Sequence, residues 1–318
     1  DFVLSRLQHL IMSYTLLAIG HRVVHGGNLF AAPVVITGQI ESQLQTLCSL
    51  APLHQPFNLA GIRACKNLWP LVPHIACFDT AFHQTQPTIA RMFALPQALF
   101  ERGIQRYGFH GLSYQYISEQ LTVLLPANQR ERVVVAHLGN GASLCAMKNG
   151  VSVDSTMGFT ALDGLVMGSR CGALDAGVVL HLMQQEHLSG NEISDLLYRQ
   201  SGLLGISGIS ADMRELLINP APSAKLAVAL FIYHCVKEIG ALIAALGGLD
   251  CLVFTAGIGE HAAVIRTAVC DSLQWLGLKL DDNANNRCAP SHETACTISC
   301  HDSTVTAMVI ATDEEQII

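Results

Sequence analysis

The sequence predicts an α/β protein of two domains with a ligand-binding cleft between them. Its 318 residues exceed the typical length of a single domain. Half of the residues are apolar and only 14% are charged, so the chain can form large cores and an apolar subunit interface as well. Short apolar runs that resemble buried strands alternate with longer segments of helical spacing. Several of the short runs end in glycines and polar residues, and ligands of α/β proteins bind at such strand ends.

The charge composition argues against a nucleic-acid-binding protein. The formal net charge is −7 and the basic residues form no run, whereas nucleic-acid-binding domains carry a clustered basic footprint. The longest apolar run, residues 226–236, is flanked by Lys225 and Lys237 and is too short to span a bilayer. We therefore expect small-molecule partners, with no nucleic acid and no membrane among them.

The cysteines and histidines do not predict a metal site. The chain has 11 cysteines without a C-x-x-C pair, and several lie in apolar runs, as reduced buried thiols do. Cys296, Cys300 and His301 lie in an alternating, strand-like segment without a matching second pair. His21 and His25 are four residues apart, but the valines and glycines around them favour a strand and a turn over a zinc-binding helix. With no signal-peptide pattern, this composition predicts a cytoplasmic protein.

Two early strands end in charged residues. Residues 2–12 have helical spacing, and residues 14–19 form an apolar strand that leads to Arg22 beside a glycine pair. Arg22 is therefore a candidate for binding an anionic group. Residues 75–78 predict a short buried strand, and Asp79 at its end is either a helix cap or a site residue.

The central segment, residues 133–154, predicts three strands joined by two turns. It begins with a continuous apolar run, and Asn149-Gly150 is the strongest short hairpin signal in the chain. The first turn, residues 137–141, places two glycines around a polar residue, so its backbone N–H groups can approach a ligand closely. This turn fits an anion such as phosphate. A plain hairpin, with glycines for turn geometry alone, is the alternative.

Two glycine-rich segments flank the central strands. Residues 106–114 interleave aromatic residues, a histidine and glycines, a composition suited to the wall of a polar pocket, with Ser113 a candidate cap of the next helix. Residues 155–177 form a long glycine-rich segment that contains Arg170. Loops of this length in compact domains are usually functional.

The last part of the chain predicts a strand followed by a glycine turn. An apolar helix over residues 224–246 precedes a buried strand over residues 249–256, which breaks into a turn at residues 257–261 before another helix. A strand, a glycine turn and a helix N-terminus can bind phosphate. A third glycine and a following acid are missing, so a Rossmann dehydrogenase is the weaker alternative. Residues 305–311 predict a final strand, with Glu314 in the first turn of a short helix.

Eight motifs occur in order along the chain: HRVVHGG, FDTAFH, RYGFHGLS, VAHLGNGAS, DSTMGFTALDGLVMGSR, GLLGISGISADMR, FTAGIGEH and TDEE. From about Gly20 to the end, they resemble the motifs of the acetate kinase family of short-chain acyl kinases. The resemblance implies the sugar kinase, Hsp70 and actin type of fold, with two RNase H-like α/β domains that close on ATP and Mg²⁺. Residues 1–80 would be the remainder of the first domain, to which residues 313–318 return, and residues 81–312 the second.

The resemblance also implies the residues of the catalytic centre. Asp79 would be catalytic, His110 a transition-state donor, and Arg22 and Arg170 would hold the acyl carboxylate and the transferring phosphoryl group. Glu314 would help to place Mg²⁺. The acyl pocket would be lined by Val24, Leu53, Phe109 and Ala161.

Two further groups of residues are implied for the nucleotide. The ATP phosphates would contact His137, Leu138, Gly139, Asn140 and Gly141. The adenosine would be surrounded by Asp212, Met213, Arg214, Gly257, Ile258, Gly259, Glu260 and His261. Family members commonly have proline where Ala161 stands and asparagine where His261 stands, so acyl-pocket size and adenosine affinity are the properties most open to change.

The implied reaction transfers the γ-phosphate of ATP to the carboxylate of acetate or propionate, reversibly, in a cytoplasmic homodimer. A non-catalytic ATP-binding remnant is the alternative, and the intact Arg22, Asp79, His110 and Arg170 argue against it. Family members begin with a strand and an Asn-x-Gly-Ser-Ser turn that this sequence lacks. We therefore expect an incomplete first domain and a 318-residue chain that is inactive by itself.

Overall fold

A computed structural model describes residues 14–318 of the chain. The helix expected at residues 2–12 lies outside the described residues. Within residues 14–318 the chain forms two β-sheets, one of three strands and one of six, with helices packed against both. It is an α/β fold, as the sequence predicts.

The first sheet has the strand order β1-β3-β2. Its strands are β1 (Ile19–Val23), β2 (Val34–Val35) and β3 (His74–Phe78), with β1 parallel and β2 antiparallel to β3. The strand expected over residues 14–19 is therefore displaced, because pairing with β3 begins only at Ile19. Arg22 pairs with Cys77, so its side chain and that of Asp79 emerge at the same end of this sheet.

The second sheet has the order β6-β5-β4-β7-β9-β8. The predicted three-strand segment forms an antiparallel meander, in which Asn149 (φ 51°) and Gly150 (φ 81°) take the left-handed conformation of a tight hairpin turn. β7 and β9 continue the sheet in parallel with β4, and β8 pairs antiparallel with β9. The bounds are β4 (Arg132–Leu138), β5 (Ala142–Lys148), β6 (Val151–Ser155), β7 (Cys251–Thr255), β8 (Cys296–Thr297) and β9 (Thr306–Val309).

The described helices are numbered in chain order. They are α1 (Gly38–Thr46), α2 (Gln55–Leu68), α3 (Thr88–Arg91), α4 (Gln97–Glu101), α5 (Gly111–Leu124), α6 (Ala176–Gln184), α7 (Gly190–Arg199), α8 (Gly202–Ser207), α9 (Met213–Ile218), α10 (Pro222–Leu246), α11 (Ala256–His261), α12 (Ala263–Asp271), α13 (Asp282–Arg287) and α14 (Glu314–Ile317). Short 3₁₀ segments occur at Leu47–Ser49, Ala81–Thr85, Ala127–Gln129 and Gln274–Leu276.

The second sheet is buried on both faces, because successive residues of a strand point to opposite sides. Val134 and Leu144 pack in the same core cluster as Phe231 of α10, whereas Val135 packs in the opposite cluster with Ile117 of α5. By length and composition α10 could cross a membrane, but it packs against β5 and β6, as a core helix does. The first sheet has its own core, in which Phe30 and Phe78 stack with ring centroids 4.9 Å apart.

Two local predictions are wrong. The expected glycine turn at residues 257–261 is itself helical, because α11 begins directly after β7 with Ala256 at φ 63°. Ser113 does not cap the helix after it. His110 is the N-cap residue of α5, and the buried Ser113 instead hydrogen-bonds the side chains of His137 and Thr312.

Candidate active site

One side of the candidate site consists of three charged side chains. Arg22 donates Nε to Asp79 Oδ1 and Nη2 to Asp79 Oδ2, both at 3.0 Å, and its Nη1 donates to the carboxylate of Glu314. Burial raises the pKa of Asp79 and of Glu314, and the charge of Arg22 opposes both shifts. Two carboxylates around a single guanidinium leave one negative charge, which a divalent cation could balance.

The segment that carries His110 is fixed against the end of β3. Gly111 donates its N–H to the carbonyl oxygen of Asp79 at 2.8 Å, and His83 Nε2 lies 2.9 Å from the carbonyl oxygen of Phe109. Gly108 (φ 73°) leaves no space for a Cβ atom beside the His83 ring. His110 itself has φ 59°, in the left-handed region. The glycines of this segment thus allow the close approach that places His110 near Asp79.

The opposite side of the site contains a stacked pair of histidines. The rings of His110 and His137 have centroids 4.2 Å apart and an interplanar angle of 17°. Their Nδ1 atoms lie 2.8 Å from Ser143 Oγ and 2.9 Å from Ser113 Oγ, respectively. Burial and then the charge of Arg22 lower the pKa of His137 to about 3. Burial, His137 and nearby arginines hold the pKa of His110 well below its usual range. Both rings are therefore neutral at pH 7.

The glycine turn faces His110 and Arg170. A Cβ atom added to Gly141 would lie 3.4 Å from His110 Nε2 and 3.8 Å from Arg170 Nη1. Asn140 accepts a backbone hydrogen bond from Gly168 at 3.1 Å, which ties the turn to the Arg170 loop. The structure therefore brings together three elements that are distant in sequence. Leu138, also expected to bind phosphate, has its side chain in the core, so only its backbone is available to a ligand.

Arg170 is held by neutral groups. Its Nη1 donates to the carbonyl oxygen of Ala161 at 3.0 Å and lies 3.7 Å from the sulfur of Met167. Within residues 14–318 it forms no salt bridge with a carboxylate. Burial lowers its pKa, but an arginine remains charged at neutral pH. A partly buried cation without an anionic partner is suited to an anionic ligand.

Three of the four expected acyl-pocket residues belong to the same apolar core. Phe109 is one of its buried members, Val24 and Ala161 pack against it, and the backbone of Ala161 contacts Arg170 as described. Leu53 is more exposed. Its neighbour His54 is near the site, since the charge of Arg170, together with burial, lowers the pKa of His54. These positions place an apolar surface beside a free cation, as a short-chain carboxylate requires.

A cavity of about 570 Å³ extends from the glycine turn toward α9 and α11. Eight of its lining residues are expected nucleotide contacts: Gly139, Asn140, Asp212, Met213, Arg214, Gly257, Ile258 and His261. Ala211, Leu217, Ile218 and Ala262 also line it and were not expected. The helical spacing of Leu217 and Ile218 from Met213 and Arg214 could have indicated them. Such an apolar cavity beside a glycine turn suits a base and its sugar.

Glu260 and Gly259 do not line this cavity. The Glu260 carboxylate turns inward and accepts hydrogen bonds from the backbone N–H groups of Ala256 at 2.8 Å and Thr312 at 3.1 Å. It thereby connects the start of α11 with the segment that leads to Glu314. Glu260 thus links two parts of the site in this structure, and Gly259 is buried against the end of β7.

A mixed-sheet α/β fold that places this cavity beside a glycine turn, paired carboxylates and an arginine without a carboxylate partner in residues 14–318 has the parts of a phosphotransferase. The Acetokinase family model matches residues 2–318. An acetate kinase of Rhodopseudomonas palustris is 56% identical over 306 residues, which cover 96% of this chain and 76% of the relative. The chain belongs to the acetokinase family.

Solved structures support the same assignment. The acetate kinase of Porphyromonas gingivalis is 39% identical with a TM-score of 0.90, and a propionate kinase of Francisella tularensis is 40% identical with a TM-score of 0.91. Each comparison covers 99% of this chain and 82% of the solved one. The protein is a kinase that forms an acyl phosphate from ATP and a short-chain carboxylate. A non-catalytic remnant is not favoured.

Proposed function

We propose that the protein phosphorylates acetate in the space between Gly141, His110 and Arg170. The single observation that carries this assignment is the convergence of His110 Nε2 and the unpaired Arg170 on the glycine turn. Arg170 and Arg22 hold the carboxylate and the transferring phosphoryl group. His137, Gly139 and Asn140 complete the phosphate site, and the α9 and α11 cavity takes the adenosine.

The chemical difficulty of this reaction is repulsion between anions. An acetate carboxylate, with a pKa of about 4, is already ionised at neutral pH, so no general base is needed. Arg22 and Arg170 reduce the repulsion, and His110 donates a hydrogen bond to the charge that develops on the phosphoryl oxygens. Asp79 acts mainly by orienting Arg22, as its two-point contact supports.

The carboxylates of Asp79 and Glu314 fit a magnesium ion. Mg²⁺ prefers hard oxygen ligands and commonly binds one or two carboxylates together with substrate phosphates. Both carboxylates share one arginine, so together they carry an excess negative charge. When bound there, the ion would neutralise charge on the ATP phosphates.

We also propose the domain division given by the resemblance: residues 1–80 with residues 313–318, and residues 81–312. The Cys77 thiol lies 3.7 Å from the Ile318 carbonyl oxygen, a contact that supports the return of the C-terminus to the first domain. The site then lies where the two domains meet, so domain closure can exclude water from it.

A second copy of the chain is the partner we propose for α6. None of the residues of this apolar helix is buried. Leu174 just before the helix, and Val178, Leu180 and Met183 within it, are 42%, 41%, 53% and 49% exposed, a high exposure for large apolar side chains so close together in sequence. A homodimer would cover these exposed apolar side chains. A location in the cytoplasm would keep the free cysteines reduced.

An acyl-hydroxamate assay tests the proposed function. The full-length gene product is incubated with ATP, Mg²⁺ and acetate, propionate or butyrate, and the acyl phosphate is trapped with hydroxylamine. We expect product that depends on the carboxylate, and loss of product with excess EDTA that added Mg²⁺ restores. ATP binding by calorimetry without acetate-dependent ADP formation would contradict the proposal and favour the non-catalytic alternative.

A further inference from the structure

His110 is connected to two buried hydroxyl groups that the catalytic assignment does not use. Tyr114 Oη lies 2.5 Å from Ser143 Oγ, and Ser143 Oγ lies 2.8 Å from His110 Nδ1. The side chains of Tyr114 and Ser143 are completely buried. Tyr114 is one helical turn after His110 in α5, and Ser143 is in β5, so the three groups form a chain between two elements.

The hydrogens of this chain can point in only one direction. Tyr114 Oη has no hydrogen-bond partner other than Ser143 within the described residues, so its single hydrogen must go to Ser143 Oγ. The reverse direction would leave a buried hydroxyl hydrogen without an acceptor. The hydrogen of Ser143 then has one remaining partner, His110 Nδ1, which must accept it. A neutral imidazole carries one N–H group, so His110 carries it on Nε2.

We propose that Tyr114 and Ser143 are positioning residues that fix His110 in the Nε2–H tautomer, so that a neutral ring presents an N–H donor to the phosphoryl group. This inference rests on the proposed role of His110. Nε2 is the ring nitrogen that faces Gly141, and Arg170 Nη1 lies beside the same glycine. The other tautomer would direct a lone pair at the phosphoryl oxygens and repel them. In other enzymes, a partner that fixes a histidine tautomer contributes strongly to turnover.

The stacked ring of His137 favours a neutral His110, and a fixed tautomer suits a neutral donor. His137 stacks on His110, and a charge on either ring would disfavour a charge on the other. A neutral ring that already carries its proton on the correct nitrogen can donate without gaining or losing a proton. A cationic histidine has an N–H donor on Nε2 because both ring nitrogens are protonated. The hydroxyl chain gives the neutral His110 ring the same Nε2–H donor.

Nitrogen NMR of the full-length protein tests the tautomer directly. Histidine is labelled selectively with ¹⁵N, and the His110 signals are assigned by their loss in His110→Gln. We expect the Nε2–H pattern in the wild type and a mixture of tautomers in Ser143→Ala, because no hydroxyl group then donates to Nδ1. A wild-type Nδ1–H pattern, or a pure Nε2–H pattern in Ser143→Ala, would overturn the proposal.

Kinetics supply the second measurement. Ser143→Ala should lower kcat about tenfold, the value of one lost neutral hydrogen bond, and Tyr114→Phe should lower it less. The KM values for ATP and acetate should change less than twofold, because neither residue contacts substrate. Tyr116→Phe is the matched control. It is the same substitution at a buried position of α5, and the Tyr116 hydroxyl makes no hydrogen bond to residues 14–318, so kcat should be unchanged.

The two proposals can fail separately. If His110→Ala retains wild-type kcat, His110 is not the phosphoryl donor, and the NMR pattern still decides the tautomer. If His110→Ala is impaired but Ser143→Ala and Tyr114→Phe match the Tyr116→Phe control in kcat, the positioning role is wrong while the catalytic role stands.

Discussion

The two sides of the proposed catalytic cleft are held together by different kinds of side chain. At the end of the first sheet, Arg22 holds Asp79 and Glu314 in a charged group, and 42% of the arginine side chain is exposed. Across the cleft, the second sheet and α5 hold two stacked histidines that carry no charge at neutral pH. One side is held by ion pairs and the other by serine hydroxyls.

This difference indicates a division of labour. Charged groups can neutralise ATP and the carboxylate, but their strength depends on solvent and salt. Neutral donors in a buried setting give directional hydrogen bonds with no change of protonation. Arg170 is the exception, because it is a cation on the neutral side that has no carboxylate partner among residues 14–318. Its charge is therefore available to substrate, and it should matter most.

The largest expected effect is at Arg170. Arg170→Ala should lower kcat about 10³- to 10⁵-fold if it stabilises the transferring phosphoryl group as an arginine finger does. Arg170→Lys keeps the charge but loses the planar pair of donors, so it should recover only part of the rate. Steady-state kinetics of both variants provide the measurement. A kcat close to wild type in Arg170→Ala would contradict this prediction, because the neutral side would then act on the phosphoryl group without a cation.

The sequence alone predicts those parts of the fold and the site that depend on short stretches of neighbouring residues. The Asn149-Gly150 turn fixes the central hairpin, and β3 ends where its apolar run ends. The α/β fold class and the family follow from motifs in order, and the comparisons confirm both. These predictions succeed because turn geometry and periodicity depend on neighbouring residues.

Contacts between distant residues could not be predicted. Ser143 lies 33 residues from His110, and nothing in its local pattern distinguishes it from any other strand serine. Glu260 was expected at the nucleotide, but its carboxylate binds the backbone of Thr312, 52 residues away. The start of α11 was missed because Ala256 takes a conformation that its residue type disfavours. Tertiary packing decides these features.

The second prediction concerns acid stability and sharpens the contrast between buried neutral rings and charged groups. Burial lowers the pKa of His25 and His83 to about 4 and that of His137 to about 3. Each folded-state pKa lies below the unfolded value of about 6.5, so the stability that these neutral rings contribute is present above pH 6.5 and is lost as pH falls. Over the three residues, the free energy of unfolding should fall by about 4 kcal/mol between pH 8 and pH 5.5.

Urea unfolding at the two pH values measures this loss. His25→Asn keeps an acceptor for the Gly27 N–H group and should remove about one third of the pH dependence that these three histidines contribute. The exposed His301→Gln is the control and should leave the pH dependence unchanged. Asp79 works in the opposite direction, since its raised pKa makes the folded state easier to protonate as pH falls. Stability that is flat or rises from pH 8 to pH 5.5 would show that these buried histidines do not dominate the pH dependence.

The smallest expected effect lies where the two sides meet, in the acyl pocket. Val24 follows β1 on the charged side, and Ala161 touches Arg170 on the other. Relative to proline, Ala161 removes about two carbons of wall, and at about 0.8 kcal/mol per buried CH₂ this should relieve the penalty on propionate by several-fold to about tenfold. Ala161→Pro should therefore sharpen the preference for acetate.

The substitution is structurally mild, so its kinetic effect can be interpreted. The Ala161 N–H group donates no hydrogen bond to residues 14–318, and proline keeps the carbonyl oxygen that accepts from Arg170. The measurement is the ratio of kcat/KM for propionate to that for acetate, in wild type, Ala161→Pro and Ala161→Gly. The ratio should fall in the proline variant and should not fall in the glycine variant. An unchanged ratio in Ala161→Pro would mean that residue 161 does not face the acyl chain, and that Val24 and Phe109 alone set its length.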